Sequence, residues 1–600
     1  MIIYNKKVKD DFLMKLIKNS KNFNYLLALI MCFFSYKALT NNLITSYNIL
    51  SWILIVVLLL AFKYCLANFT KSYKLSVIIF SMVFSLIVTV GGGIVYGNLY
   101  SENTSFLTIF ISYTSLCDLI GYFNIFLLCL NYFIPKVINY NFEMKKILKY
   151  SPIFIFAISF CVIVCCWSIY LLKYYPGNIS PDSLAEIKMI LNNFSTISDH
   201  HPIIHILFIA LPLKVGLHFF NNINTAIFLY SLLQVIIMAS IFSYLISFLY
   251  KRKVPNFVLI AILAYFALVP MHGFYSIVMW KDVLFAGLLL LLTINLYKIL
   301  EKDEIDIFTK TSFIVVSLLT IFFRNNAVYM YFLVAITSFF FFKKHYKYFI
   351  FAFCIVFGVY GLVKGPVFSY FNVVKSSSAE YIGMPLQQIG RMVYKNVELT
   401  TEETKLINNL LSVDEMKKSY NPLVSDGIKF NKNFNIKAFD NNKFKYLNLW
   451  LHLVIKHPVV AVEAYLTSTL GYWYPNVEYW TVSKGIYDND LGIYNQPKID
   501  TNIPEKLEDR KTPFINMTWS IGLCFWIIAL FSFIAVKKAK DIKAIYLYVP
   551  VIGIWLTMMI ASPVFAEFRY VYGAFTCLPL LIIFPYLLCN SKGEINACKN

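Results

Sequence analysis

Uninterrupted apolar runs, each close to the ~20 residues that a helix needs to cross a bilayer, recur along most of this 600-residue chain. They fall at 24–41, 46–64, 75–97, 105–134, 151–172, 203–220, 225–249, 256–270, 282–299, 311–323, 327–342, 348–364, 515–536, 544–561 and 571–589. With 59% hydrophobic and only 14% charged residues, surface of this kind can be covered only by lipid. A helix is the form in which a single segment satisfies its own backbone there. An ordinary soluble protein and a disordered chain are both excluded. The fold class expected is all-α integral membrane.

The formal net charge of +21 suggests nucleic acid as a partner until the charge is located. Residues 365–513, the one long polar stretch, carry 17 Lys/Arg and 16 Asp/Glu, so nearly all the excess sits in short loops and termini. Short basic loops mark the cytoplasmic side. Lys6, Lys7, Lys9, Lys15, Lys18 and Lys21 place the N-terminus inside, and Lys63, Lys71 and Lys74, then Lys136, Lys145, Lys146 and Lys149, alternate as they should. If 203–220 spans, the alternation breaks, and Lys251, Arg252, Lys253, Lys343, Lys344 and Lys537 fall outside. That run holds Pro212, Gly216, His205, Lys214 and His218. Reading it as an interfacial juxtamembrane helix returns every later basic loop to the cytoplasm. The expectation is then about 14 spans in the cytoplasmic membrane, both termini inside, with the lipid bilayer and no nucleic acid as partner.

Four stretches follow: an N-terminal four-span region (1–150), a membrane core (151–364) whose first exterior loop is 173–224, an exterior, mostly α domain (365–513) inserted before the last three spans, and those spans with the cytoplasmic tail (514–600). None of the 12 cysteines falls in an expected exterior loop, and no CxxC or His/Cys metal spacing occurs, so no disulfide is expected there. The first 23 residues are too polar for a cleaved signal, which makes the first span an uncleaved anchor.

Sorted by side, the unusual polar residues gather at exterior mouths of spans. Ser180 before Pro181 reads as an N-cap with a first-turn proline, so Asp182 sits in the first turn of a short helix with Glu186 on the same face. Two carboxylates there suit acid/base work; equally, Asp182 serves only the helix end. His201 and His205 have the i, i+4 spacing of metal ligands. The simpler reading makes Asp199 a cap before Pro202 and leaves His200, His201 and His205 to hydrogen-bond at the interface. Lys281-Asp282 marks a span boundary or contributes to a site. Arg324, with Asn325, stands between two short spans, and Arg569 follows Glu567 just before the last span. Ionisable residues in such positions face a cavity or ligand, and guanidinium suits phosphate.

In the exterior domain, Ser377, Gln387, Gln388 and Arg391 suit a glycan or a carrier headgroup, or form ordinary solvated surface. Tyr472, Trp473, Tyr474, Tyr479 and Trp480 rest at a membrane interface or stack on sugars, and both readings stay open. The helix expected over 448–467 is amphipathic enough to pack on the membrane domain.

Tyr175-Pro-Gly-Asn-Ile-Ser-Pro-Asp182 and then Asp199-His-His-Pro202 resemble the first exterior loop of the GT-C glycosyltransferases, the superfamily of protein O-mannosyltransferases and aminoarabinose transferases. A closer likeness, to an uncharacterised bacterial multi-span family of unknown function, adds Trp280-Lys-Asp282, Phe323-Arg-Asn-Asn326, Pro385-Leu-Gln-Gln388 and Phe568-Arg-Tyr570 in the same order, over most of 150–590.

The resemblance implies a GT-C-like core and an enzyme that moves a sugar from a polyprenyl-phosphate-linked donor to a glycan, lipid or protein acceptor outside the membrane. It implies that Asp182 is the catalytic base, Asp282 the second acidic residue, and Arg324 and Arg569 the carrier-phosphate ligands. Glu186, His200, His201, Lys281, Asn325, Gln387 and Arg391 are the further substrate contacts expected. The chain departs from the pattern in having Lys281 beside Asp282 and a single Asp in the first loop. No cofactor is fixed, and a divalent cation stays open. The alternatives are a polysaccharide ligase or polymerase, or a lipid-linked sugar transporter. A transporter should carry ionisable residues deep within spans and inverted repeats, and apart from Asp118 almost none are seen. A non-catalytic scaffold would leave the exterior aspartates dispensable.

Overall fold

A computed structural model describes residues 21–42, 49–69, 73–101, 104–141, 149–195, 197–302, 304–341, 345–477, 479–509, 513–561 and 564–591. Lys6, Lys7, Lys9, Lys15, Lys18, Lys71, Lys145, Lys146, Lys343 and Lys344, on which part of the expected orientation rests, lie outside the described residues.

Among the described residues every regular element is helical, and only isolated bridges form instead of strands. Among the described residues eleven helices are long and apolar enough to cross a membrane, or up to 13 if two bent pairs each count as one span. Asn24–Thr40, Ile307–Phe323 and Ala327–Phe341 are apolar but shorter. Trp52, Ile153, Phe308 and Phe340 leave 70–76% of their surface uncovered by protein. Apolar area of that extent is unfavourable in water, so the chain is a multi-span membrane protein. Ile203–Phe220 meets the same length and composition test as the spans, because Pro212 sits inside the helix without ending it. Length and composition of this kind suit a span and the interfacial helix expected from the basic loops alike.

The chain packs as two compact units, and the polar stretch 365–513 is shared between them. The first comprises Met1–Tyr140, Gln387–Pro422 and Phe444–Leu470. In it, Tyr113–Asn139 packs against Lys21–Asn42, Ile49–Ala67 and Lys74–Tyr96. The second comprises Asn141–Leu386, Leu423–Lys443 and Gly471–Asn600.

In the second unit Pro152–Lys173 and Ile203–Phe220 pack on Ile223–Lys251, while Phe568–Ser591 packs on both Lys281–Glu301 and Ile521–Ala539. Within their apolar windows Lys281–Glu301 is 83% and Phe568–Leu588 89% buried, against 28% for Pro152–Lys173 and 17% for Tyr346–Tyr370. The first two are therefore central helices with little lipid contact, and their N-terminal turns carry Lys281, Asp282 and Arg569.

The loop after Pro152–Lys173 is fastened to the N-terminal end of Lys281–Glu301 by backbone. Asn178 N donates to Ile277 O (3.0 Å), Met279 N to Asn178 O (3.1 Å), and Ile179 N to Gly485 O (2.9 Å). Gly177 enters this knot at φ +146°, and a Cβ there would lie 2.2 Å from Ser231 Oγ, the hydroxyl that donates to Pro176 O at 2.9 Å. Gly177→Ala is expected to destabilise the protein by about 1–3 kcal/mol, read as a lower midpoint of thermal unfolding in detergent.

Candidate functional site

The short helix Pro181–Leu191 starts as the sequence suggests. Ser180 is its N-cap, and Ser180 and Ser183 form a reciprocal capping box around Pro181. Tertiary contacts then aim it: Trp280 Nε1 donates to Ser180 Oγ (2.9 Å) and Ser183 Oγ to Met279 O (2.6 Å). Asp182, in the first turn, thus comes to face Lys281 and the start of Phe568–Ser591.

Arg569 is delivered by a separate anchor. The segment before it is held by Phe565 N donating to Leu423 O (2.9 Å) and by Gly471 N donating to Phe565 O (2.9 Å). Tyr472 Oη accepts from Glu567 N (3.1 Å) and donates to Val564 O (3.0 Å). Gly471 permits this approach, since a Cβ there would sit 2.3 Å from Ala566 Cβ.

Two arginine–carboxylate pairs result. Arg569 Nη1 donates to Asp182 Oδ2 at 2.9 Å, its Nε lies 3.4 Å from Glu567 Oε1, and its guanidinium lies over the rings of Trp280 and Tyr570 at 5.3 and 5.0 Å. Arg324 Nη1 donates to Tyr570 O at 2.6 Å and stands 3.2 Å from Asp282 Oδ1. Both oxygens of Asp282 are buried, and neither accepts a directed hydrogen bond. A carboxylate so sparsely partnered is costly to bury, so this is where a donor from a bound molecule would be most favourable.

Asp182 and Glu567 differ in proton affinity. Burial works to raise Asp182, but Lys281 and Arg569 outweigh it and hold the carboxyl down at about 2. Glu567 is pushed up to about 7 by burial, against the pull of Arg569 and with Asp282, Asp182 and Asp426 adding to the rise. Asp182 is therefore ionised at neutral pH while Glu567 is poised to gain or lose a proton, a separation typical of paired acid/base groups.

The remaining expected site residues divide. Lys281 lies near enough to Asp182 and His201 to act on both electrostatically. His201 is buried, 3.5 Å from Glu186, and lowered to about 4, chiefly by burial. His200 is exposed, its ring edge-on to His201 at 4.8 Å.

Glu186 does not join Asp182. It turns inward to His205 Nδ1 (2.9 Å), His205 Nε2 meets Tyr230 Oη (3.0 Å), and Tyr230 donates to Gln234 Oε1 (2.9 Å). Gln234 Nε2 faces the carbonyls of Tyr275, Ser276 and Val278 at 2.8–3.3 Å. With that amide donating, Gln234 Oε1 accepts from Tyr230, Tyr230 accepts from His205 Nε2, and the His205–Glu186 contact holds the remaining proton. The two carboxylates expected on one helix face are thus a half-buried partner of Arg569 and a core residue.

Asp199 caps no helix. Its carboxylate pairs with Lys364, whose Nζ also donates to Asn325 Oδ1 (3.0 Å), and Asn325 Nδ2 donates to Asp199 O (2.8 Å). The following helix begins at Ile203 with Pro202 as N-cap and no side-chain cap. Asn325 is thereby a tie between loops.

Gln387 and Arg391 belong to the first unit. Gln387 donates to Asn421 O (3.0 Å). Arg391, fully buried, donates to Leu99 O (2.6 Å) and pairs with Glu463 (3.2 Å), which also takes Lys395 (2.9 Å) and Phe106 N (2.8 Å). Arg391 therefore meets protein groups on all these contacts, where a headgroup ligand was expected.

Of the aromatic residues, Tyr472, Trp473 and Tyr474 are buried, while Trp480 is exposed, its ring 6.0 Å from Trp280. A cavity of about 20 Å³, lined by residues including Tyr474, Tyr479, Trp519 and Phe568, is water-sized and too small for a sugar ring. No group of three or more His, Cys, Asp or Glu among the described residues is arranged to hold a metal ion.

Glu567 and Lys364 are the functional candidates that sequence reasoning left without a role. Position beside Arg569 is the one signal Glu567 offered. Lys364 offered none, because its partner lies 165 residues away.

The model of a family described as a family of unknown function (DUF6020) matches residues 189–597. The match takes in Asp282, Arg324, Glu567 and Arg569 and begins after Asp182 and Glu186. Neither a curated protein nor a solved structure matches the chain.

Proposed function

The chain belongs to that family of unknown function, and we propose that it is a membrane glycosyltransferase of the GT-C type. It would transfer a sugar from a polyprenyl-phosphate-linked donor to a cell-envelope acceptor on the outer face of the cytoplasmic membrane. The observation that carries the reading is the meeting of Arg569 with Asp182 and of Arg324 with Asp282 at the mouths of the two most buried helices, with Lys281 alongside.

Phosphate oxygens accept strong charge-assisted bonds from guanidinium, so the donor phosphate would compete with Asp182 for Arg569. Relieved of that partner, Asp182 regains basicity and takes the proton of the acceptor hydroxyl. The acceptor oxygen bonds to the anomeric carbon as the bond from that carbon to phosphate oxygen breaks. The lipid phosphate leaves with the electron pair, its charge held by Arg569 and Lys281. Sugar hydroxyls would donate to Asp282, and exposed Trp480 offers a stacking face. A lipid-linked sugar transporter is less well supported, since the charged cluster lies at helix mouths and not midway along a span.

The test is transfer of radiolabelled sugar from a polyprenyl-phosphate donor in membranes, wild type against Asp182→Asn. Loss of transfer supports the reading; an undiminished rate in the variant sinks it.

The behaviour of Glu567 adds a pH prediction. Above about pH 7 its ionised carboxylate competes with donor phosphate for Arg569, so the donor KM should rise through that pH. In Glu567→Gln the rise should vanish. Stability should follow the same proton. The folded value lies above the ordinary 4.5, so the contribution is full below pH 4.5 and is lost as pH climbs through about 7. Thermal midpoints of wild type and variant across that window check the sign.

A further inference from the structure

The helix Lys443–Lys456 lies in the stretch that the sequence marks as an exterior polar domain, yet it is apolar on two opposite sides. Tyr446, Leu449 and Leu453 are buried, and Trp450 Nε1 donates to Gln388 Oε1 at 2.6 Å. Phe444, Leu447, Leu451 and Ile455 are exposed, Phe444 at 84% and Ile455 at 78%. At 100° per residue these four fall within an arc of about 80°, on the side away from the buried three. On one flank of the stripe, Lys445, His452 and Lys456 fall within about 40° of one another, and His452 and Lys456 meet Glu403 at 3.3 and 3.2 Å.

Scattered exposed apolar residues are ordinary; an unbroken stripe of four large ones along the helix is not. What covers it is indicated by the next element. The chain turns by 107° into Pro458–Ser468, which packs on Phe106–Phe110. Glu463 of that helix accepts from Phe106 N, in the connection between the apolar helices Lys74–Tyr96 and Tyr113–Asn139. The stripe is thus carried on a helix turned sharply away from one that is fastened where two membrane helices end. An amphipathic helix with a lysine-bearing flank at that level has the composition of one lying in a phospholipid surface.

We infer that Lys443–Lys456 is a membrane-surface helix, with Phe444, Leu447, Leu451 and Ile455 immersed at the boundary of headgroups and acyl chains. The inference is independent of the reaction proposed above. It makes this part of the exterior stretch a second, non-spanning attachment to the bilayer.

The test uses the full-length protein in vesicles of phosphatidylcholine and phosphatidylglycerol in equal parts, with a water-soluble, membrane-impermeant maleimide. Phe444→Cys, Leu451→Cys and Ile455→Cys are compared with Lys445→Cys, and the wild type supplies the blank for native cysteines. All four positions are exposed, so the substitutions should leave packing intact. The stripe cysteines should react at least about tenfold more slowly than Lys445→Cys, and should keep that protection when the protein-to-lipid ratio is lowered. Labelling as fast as at Lys445→Cys would show the stripe in water and overturn the inference. Protection lost on dilution would overturn it too, because a second copy of the chain would then be the cover.

Discussion

Arg569→Ala is expected to lower kcat/KM for the lipid-linked donor by about 10²–10³-fold, the loss seen when one preorganised donor to a developing anion is removed. Arg569 has no neutral substitute in the site. Its Nη1 holds Asp182 at 2.9 Å and its Nε faces Glu567 at 3.4 Å, while Arg324 is committed to Tyr570 O and Asp282. The fold should survive, because Asp182 remains partly open to solvent and Glu567 already binds a proton near neutrality. Arg569→Lys should recover only part of the rate, since an ammonium cannot bridge two acceptors in one plane. Initial rates against donor concentration check both variants. Wild-type rates in both would remove the phosphate role.

The largest expected effect on stability lies in the first unit. Glu463→Leu removes the carboxylate that Arg391 and Lys395 share, leaving the two cations with the carbonyls of Leu99 and Thr104, and takes away the acceptor of Phe106 N, at a cost of about 3–5 kcal/mol. Arg391→Leu/Glu463→Leu should recover most of that loss, because removing both charges removes the desolvation that each alone imposes. Thermal unfolding in detergent across the cycle measures the coupling, and the same membranes report activity. Transfer retained by the double variant would make Arg391 an internal strut. Transfer lost in a well-folded double variant would return it to the substrate.

The spans were legible because lipid imposes a length and an apolar composition on each segment independently. The start of Pro181–Leu191 was legible for the same local reason: Ser180 and Pro181 are neighbours of the backbone they cap. Glu186 went astray because helical spacing gives a face but not what faces it, and His205 claimed its carboxylate. Asp199 has a short side chain ahead of a helix, as caps do, yet Lys364 offered a full charge where the helix end offered only backbone dipoles. Glu567 showed in the sequence only as the neighbour of Arg569. Its proton affinity comes from burial and from three aspartates, two of them hundreds of residues away. The single amphipathic helix expected over 448–467 is two, Lys443–Lys456 and Pro458–Ser468, bent by 107° where Pro458 opens the second, and which apolar side of the first meets protein is settled only by Gln388 and the buried Leu449 and Leu453.

The run of bonds from Glu186 through His205, Tyr230 and Gln234 to the carbonyls of Tyr275, Ser276 and Val278 closes a ring with the Trp280–Ser180 bond. Asp182 and Asp282 hang from that ring without contributing to it. The spacing between the two acids is therefore set by residues that need never touch a substrate. Trp480 and His200 stand outside that frame, so a change at either alters what meets the two acids without altering the distance between them.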